Sequence, residues 1–197
     1  NNIYRQLLGV IIFMLDKFLI KYASPTLGKI KTGSLFKVSK NTKINLEYYM
    51  KYYNSLLNNF DLYLEIIYSC DKYSLIYIYN KEMLINDIKN KNINNFLRTY
   101  GYRGDFTDDY IIFLKERFCT LKKTPHEIGI FLGYPLDDVK CFIKYGGKNF
   151  KLLGCWKVYD DVENCSNKFK EFKNYRDEFT YLYENNYSLK DLIKKKI

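Results

Sequence analysis

Two neighbouring runs rich in β-branched and aromatic residues constrain the fold most. They lie within residues 61–79 and are separated only by the polar segment 70–72. Two such runs joined by a short polar segment are typical of an antiparallel β-hairpin. Similar but shorter runs predict strands near residues 34–38 and 155–159. We therefore expect a small antiparallel sheet made of this hairpin and the two shorter strands.

Segments with helical periodicity outnumber the strands. An apolar N-terminal helix is expected over about residues 3–21, and a polar C-terminal helical segment over about residues 161–196. Asp161 and Ser188 have the side chains that cap helices at their first turn. Several helices packed on a small antiparallel sheet make an α+β fold. The length of 197 residues predicts a single domain spanning the whole chain.

The N-terminal helix raises the question of targeting. Its most apolar run, Leu7–Leu15, has nine residues and is followed by the charged pair Asp16 and Lys17. A membrane-spanning helix needs about 20 apolar residues. The pattern therefore predicts no membrane span and favours a helix buried in the core, with a signal-peptide remnant and a membrane-surface helix as alternatives.

Cysteine and histidine usage points to a reducing compartment. The chain has five cysteines and one histidine, and no two cysteines have the C-x-x-C spacing. A disulfide framework or a zinc site would normally show paired cysteines or a cluster of cysteine and histidine. We therefore expect reduced thiols, no metal site and a cytoplasmic protein.

The chain is basic. It has 32 Lys and Arg against 22 Asp and Glu, which gives a formal charge of +10. This excess is compatible with nucleic acid, an anionic membrane surface or anionic small molecules as partners. The abundance of Lys, Asn, Ile and Tyr is also what an A/T-rich genome produces without any such partner. Charge alone therefore selects no partner.

The first candidate site lies in the segment from Ser24 to Phe36. A loop expected over residues 23–32 brings glycines, hydroxyl groups and lysines together just before a strand. Backbone N–H groups, hydroxyls and an ammonium group are what binds an anion. Thr26, Lys31 and Ser34 are therefore candidate ligand-binding residues. The alternative is a glycine-containing loop that leads into a strand and leaves its lysines in water.

The second candidate site lies in residues 124–135. Thr124 and Glu127 have the spacing of a helix capping box, which favours a capping role for Glu127. His126 would then lie in the first helical turn and point outward. It is the only histidine and hence the candidate acid–base catalyst, with Tyr134 as a nearby ligand-binding residue. The alternative is an exposed histidine without a role.

Residues 124–144 also have the spacing of a helix-turn-helix. The second helix would begin near Leu136 and present Asp137 and Asp138 to the bases. Two carboxylates in that position repel phosphates. The pattern predicts two packed short helices and disfavours nucleic-acid binding by them.

The third candidate site follows a pair of glycines. Trp156, Lys157 and Tyr159 lie on the expected late strand, and Trp156 is the only tryptophan. Two aromatic rings beside a lysine could stack on a planar anionic ligand. The alternative is that the aromatic side chains belong to the core.

Together the three segments resemble a bacterial family of unknown function, the domain of unknown function number three-seven-nine-three. The likeness lies in Ser24–Phe36, Pro125–Val139 and Trp156–Tyr159, and it spans about residues 18–195. The middle motif is long and distinctive. Gly28-Lys29 departs from the family pattern of a small residue followed by glycine.

The resemblance implies an origin in anaerobic, low-GC bacteria. It implies that residues from Ala23 onward belong to the folded body, which weakens the signal-peptide interpretation. It brings no established activity. The family's gene neighbourhoods, near flavodoxin or iron-uptake genes, imply a redox or iron link and a flavodoxin-like partner.

These observations lead to one favoured function and two alternatives. The favoured function is binding of an anionic small molecule or cofactor, with Lys31 neutralising the anion and His126 transferring any proton. The first alternative is a nucleic-acid-binding or regulatory module that uses residues 124–144. The second is a subunit whose N-terminal helix docks on another protein. No motif identifies the ligand, a cofactor or a reaction, and the composite site requires the three segments to meet in space.

Overall fold

The computed structural model describes residues 2–40 and 46–195, with side chains from Leu15 onward. The helices are α1 Asn2–Leu27, α2 Leu46–Leu57, α3 Lys81–Lys89, α4 Lys91–Thr99, α5 Thr107–Leu121, α6 Ile128–Phe131, α7 Leu136–Tyr145, α8 Val162–Glu184 and α9 Leu189–Lys194. The strands are β1 Gly33–Ser39, β2 Leu62–Ser69, β3 Tyr73–Asn80, β4 Leu152–Leu153 and β5 Lys157–Val158. Helices with a small antiparallel sheet confirm the α+β class.

The main sheet has three antiparallel strands in the order β1-β3-β2. The hairpin expected over residues 61–79 is present as β2 and β3, with its turn at residues 70–72. The strand expected near residues 34–38 is present as β1, which pairs with the other edge of β3. The central strand is therefore the second strand of the hairpin.

The late strand is shorter than expected and lies elsewhere. Of residues 155–159 only Lys157 and Val158 are extended as β5, and they pair with β4 in a separate two-stranded hairpin. The reason is burial. Trp156 and Val158 form an apolar cluster with side chains of α8 and do not contribute to the cores on the three-stranded sheet.

Alternation along β3 divides the apolar core into two clusters. Ile76 and Ile78 face a cluster completed by α1, α2, α8 and α9. Tyr77 and Tyr79 face the opposite cluster, which is completed by side chains of α3, α4, α5 and α6. Successive side chains of a strand point to opposite faces, so both faces of this sheet are covered by helices.

Helix α1 is longer than the sequence predicted. It was expected to end near residue 21 but runs through Pro25 to Leu27. Leu19 and Leu27 are both buried in the cluster on β1 and α8, so packing stabilises the extra turns. Proline removes a single helical hydrogen bond, and a seryl hydroxyl one position earlier donates to the Ile20 carbonyl. Thr26 therefore lies in the last helical turn and not in a loop.

The C-terminal helices begin where their caps predicted. The Asp161 carboxylate accepts from the Asn164 amide at 3.2 Å at the start of α8. The Ser188 hydroxyl accepts from the Asp191 amide at 3.2 Å at the start of α9. Among the described residues no helix is both long and apolar enough to cross a bilayer.

Candidate functional site

Two adjoining openings lie beside the β4–β5 hairpin. The larger has a volume of about 280 Å³ and lies between that hairpin, the residues before α6 and one side of α7. We call it the aromatic cavity; its wall includes His126, Tyr134, Phe142, Cys155, Trp156 and Lys157. The structure thus brings together four of the residues predicted from the second and third segments.

Ring contacts shape the aromatic cavity. The Tyr134 and Trp156 rings are stacked, with centroids 4.9 Å apart and an angle of 27° between the planes. The His126 ring meets Phe142 edge to face at 5.2 Å and 67°. Trp156 is only 7% exposed, so most of its ring is covered by protein, and these side chains give the cavity an apolar aromatic wall.

A buried carboxylate holds Trp156 in position. Asp138, in the first turn of α7, is only 5% exposed. One carboxylate oxygen accepts from Trp156 Nε1 at 2.7 Å, and the other accepts from the Tyr159 amide at 2.7 Å. No local pattern indicates this role, because the partners lie 18 and 21 residues away along the chain.

The same contact bears on the segment with helix-turn-helix spacing, residues 124–144. The first short helix, α6, has only four residues, although two packed helices are present as expected. Asp138 points into the protein, so it is not available to face a base. The N-terminal end of α7 therefore forms part of the wall of the aromatic cavity.

Three polar side chains add chemistry to this cavity. His126 is exposed, in a turn that precedes α6. Lys157 is half-buried, donates to the Gly147 carbonyl at 2.7 Å and lies 4.9 Å from the centre of the Phe150 ring. Tyr134 donates to the Cys155 carbonyl at 3.2 Å. Burial, with a smaller contribution from Cys155, raises the pKa of Tyr134 to about 12, so this phenol stays neutral.

The second opening, which we call the lysine cleft, has a volume of about 170 Å³. Its wall includes Lys31, Ser34, Tyr134, Cys155 and Arg176. Tyr134 and Cys155 line both openings, so the three segments of the predicted site do meet. Among the described residues, none that line the cleft is acidic.

Lys31 is the central polar group of the lysine cleft. Its ammonium nitrogen lies 2.5 Å from the Gly33 carbonyl, 3.5 Å from the Ser34 hydroxyl and 5.4 Å from the centre of the Tyr134 ring. Burial lowers the pKa of Lys31 to about 8, and the nearby Cys155 offsets part of this effect. A lysine of this kind carries a neutral amine far more often than an exposed one does.

Two predicted residues lie outside both openings. Thr26 is fully buried, and its hydroxyl is 2.9 Å from that of Ser34. Tyr159 is 7% exposed and stacks on Tyr145 at 6.0 Å; its hydroxyl has no hydrogen-bond partner in the part of the chain that the structure describes. Thr26 therefore supports the cleft from behind, and Tyr159 belongs to the core because α7 covers it.

Glu127 does not cap a helix. Helix α6 begins only at Ile128, and Glu127 is 1% exposed. Its carboxylate pairs with Arg117 Nε at 2.7 Å and lies 3.4 Å from the Tyr102 hydroxyl. A buried carboxylate requires such a partner, and the partner comes from α5.

The architecture therefore defines an α+β protein with two adjoining ligand-sized openings beside a small hairpin. The family described as "Protein of unknown function (DUF3793)" matches residues 19–193. The chain belongs to this family, and the match includes all three segments that carried the resemblance. Comparisons with curated proteins and with solved structures give no match.

Proposed function

We propose that this protein binds a small anionic molecule that carries a planar ring. The ring would enter the aromatic cavity against Tyr134 and Trp156, and the anionic group would lie near Lys157. The observation that carries the proposal is the stacked pair Tyr134–Trp156 on the cavity wall. The buried Asp138 carboxylate accepts a hydrogen bond from the Trp156 indole and so fixes the position of that ring. Binding sites for small molecules are lined mostly by apolar and aromatic side chains, and this wall has that composition.

The composition of the wall supports a small-molecule site. Binding sites for small molecules are mostly apolar, with a few placed polar groups. Here the polar residues on the wall are Thr124, His126, Tyr134, Asp138, Cys155 and Lys157. Both oxygens of Asp138 are already engaged by protein donors, so its carboxylate has little capacity left to attract a cationic ligand. A volume near 280 Å³ suits a ligand of one or two rings.

His126 is the acid–base candidate for any reaction in this cavity. It is the only histidine of the chain, it is exposed, and it lies on the cavity wall. Each imidazole nitrogen can donate or accept a proton, so this side chain can exchange a proton with a bound ligand.

The two alternative functions have less support from the geometry. In the first turn of α7, Asp138 holds Trp156, and the exposed Asp137 would repel the phosphates of a nucleic acid. A docking role for α1 would need a free apolar face, whereas Leu19 and Leu27 are buried in the core. The side chains of residues 1–14 lie outside the described part of the helix.

The proposal includes a cytoplasmic location and the bacterial origin that the family resemblance implies. Cys155 and Cys119 are exposed free thiols, which persist in a reducing compartment. We also propose the redox or iron link and the flavodoxin-like partner that the family resemblance implies. The bound ligand would then take part in that redox or iron metabolism.

Benzoate and benzamide test the proposal, because they share a ring and differ in charge. Trp156 is the only tryptophan, so its fluorescence reports on this cavity. We expect benzoate to bind about tenfold more tightly than benzamide. Lys157→Met should abolish the difference, and Lys151→Met should keep it, because Lys151 is an exposed lysine of the same hairpin that does not line the cavity.

Thiol alkylation gives a second readout in the same samples. Bound benzoate should slow alkylation of Cys155 and leave Cys119, on α5, unaffected. Equal affinity for the two compounds would overturn the anion preference. Unchanged Trp156 fluorescence together with unprotected Cys155 would overturn the cavity as a ligand site. His126→Ala with unchanged benzoate affinity would remove His126 from the site.

A further inference from the structure

The lysine cleft has a pair of cations that no acidic side chain neutralises. Lys31 and Arg176 both line it, and they come from the loop after α1 and from α8. Within the described residues, neither takes part in any of the ion pairs. Two cations that reach one small opening without a carboxylate between them favour an anionic occupant.

The two cations differ in chemistry. A guanidinium group is always charged and binds carboxylate or phosphate through a planar fork. Arg176 is exposed on α8 at the mouth of the cleft. Lys31 lies deeper, where the Tyr134 ring and the Ser34 hydroxyl surround its nitrogen. The cleft therefore combines a fixed anion-binding group with a partly desolvated primary amine.

The walls of the cleft favour the neutral form of that amine. Pro25, Leu35, Leu132 and Phe172 supply apolar surface beside Lys31. Burial lowers the pKa of Lys31 to about 8, so its amine is neutral much more often near neutral pH than that of a lysine at the ordinary 10.5. Only the neutral amine has the lone pair that attacks a carbonyl carbon.

We infer that the lysine cleft is a carbonyl-binding site, in which the Lys31 amine forms an imine with a small aldehyde that carries an anionic group and Arg176 holds that anion. The Lys31 nitrogen adds to the carbonyl carbon and gives a carbinolamine. Loss of the carbinolamine oxygen as water, with both amine protons, leaves a C=N bond and consumes no oxidant or reductant. The chemistry uses the lysine cleft alone and does not depend on what enters the aromatic cavity.

Reductive trapping of the unmodified protein tests the inference. Glyoxylate, the smallest aldehyde with a carboxylate, is added at pH 7.5 with cyanoborohydride, which converts an imine into a stable carboxymethyl-lysine. Peptide mass spectrometry then follows each lysine separately. We expect Lys31 to be labelled at least about tenfold faster than the exposed Lys29 and Lys37. Labelling of Lys31 no faster than these neighbours would overturn the inference.

A neutral aldehyde distinguishes the contribution of the Lys31 amine from that of the Arg176 guanidinium. Glycolaldehyde has nearly the size of glyoxylate but no charge. In Arg176→Met we expect the labelling of Lys31 by glyoxylate to fall about tenfold and its labelling by glycolaldehyde to stay within about twofold. Equal effects on both aldehydes, or none on either, would remove Arg176 from the site. Because fast labelling of Lys31 is measured in the wild-type chain, a misfolded variant cannot produce it.

Discussion

The three-stranded sheet and the β4–β5 hairpin are both antiparallel, but they are stabilised by different means. The sheet pairs seven or eight residues per strand and has a helix-covered apolar core on each face. The hairpin pairs two residues per strand and depends on Asp138, Trp156 and α8 for its place. An isolated two-stranded hairpin is marginal in water. The candidate site thus lies beside the hairpin, which has the shorter strand pairing of the two.

Because of this difference, we expect the sheet to govern the stability of the whole chain and the hairpin to govern the candidate site. Changes in the sheet should lower the free energy of unfolding of the whole chain. Changes around Asp138 should first open the hairpin and the aromatic cavity while the sheet stays folded.

The largest effect is expected in the sheet. Ile78 is fully buried at the centre of β3, and Ile78→Ala should lower the free energy of unfolding by about 3–4 kcal/mol through lost contacts and a cavity. Denaturant unfolding measures this loss. Ile112→Ala, at a position 56% exposed, is the control and should cost less than about 0.5 kcal/mol. Similar losses for the two variants would contradict a sheet-centred core.

The next effect is expected at the buried carboxylate. Asp138→Ala leaves two buried donors without an acceptor, Trp156 Nε1 and the Tyr159 amide, which costs about 2–3 kcal/mol. If that cost falls on the hairpin alone, hydrogen exchange of the Lys151 amide, which donates to Val158, should accelerate about 30- to 150-fold. The Ile78 amide should exchange at its original rate.

Asp137→Ala is the matched control for this experiment, because Asp137 is the exposed neighbour of Asp138. It should leave both exchange rates within about twofold. Equal acceleration at Lys151 and Ile78 in Asp138→Ala would show that the hairpin and the sheet unfold together, and the comparison between them would fail.

The smallest effect is a pH dependence at the junction of the two regions. The pKa of Lys31 is about 8 in the folded chain, because of burial, and near 10.5 when unfolded. Between these two pKa values the unfolded chain binds more protons than the folded chain. The free energy of unfolding therefore rises with pH in this range, and the gain is lost again as the pH falls to and through 8. From pH 7.5 to 9.5 the wild type should gain about 1–2 kcal/mol relative to Lys31→Met.

Tyrosine ionisation also changes the free energy of unfolding of both the wild type and Lys31→Met in this pH range. The quantity to measure is therefore the difference in free energy of unfolding between these two proteins. Lys29→Met removes one positive charge at an exposed position nearby and is the control for net charge. A constant difference between wild type and Lys31→Met across the range would show that Lys31 is solvated, and would weaken its role as an amine in the cleft.

Local patterns predicted the fold better than the site. The turn at residues 70–72 and the caps Asp161 and Ser188 depend on side chains within three residues of the backbone they bind, so short windows of sequence contain them. The residues of the aromatic cavity were predicted one segment at a time. No local pattern predicts that these segments meet in space. In the structure Tyr134 and Cys155 line both openings and so connect them.

Where prediction failed, a distant partner decided the outcome. Glu127 has the spacing of a helix cap, but an arginine of α5 pairs with it in the interior. Asp138 looked like a carboxylate that would repel phosphate, but it accepts from an indole 18 residues away. Arg176 carried no signal at all, because a single arginine on a polar helix resembles any solvated residue.

The sequence by itself determined the α+β class, the hairpin of residues 61–79, the C-terminal helix starts and the family. Each depends on periodicity, turn chemistry or a contiguous motif, which the order of residues records directly. Only the tertiary structure decided how far α1 runs past Pro25, where the β4–β5 hairpin packs and which side chains share a cavity. Those outcomes depend on burial and on hydrogen bonds between distant segments, whose free energies exist only once the chain has folded.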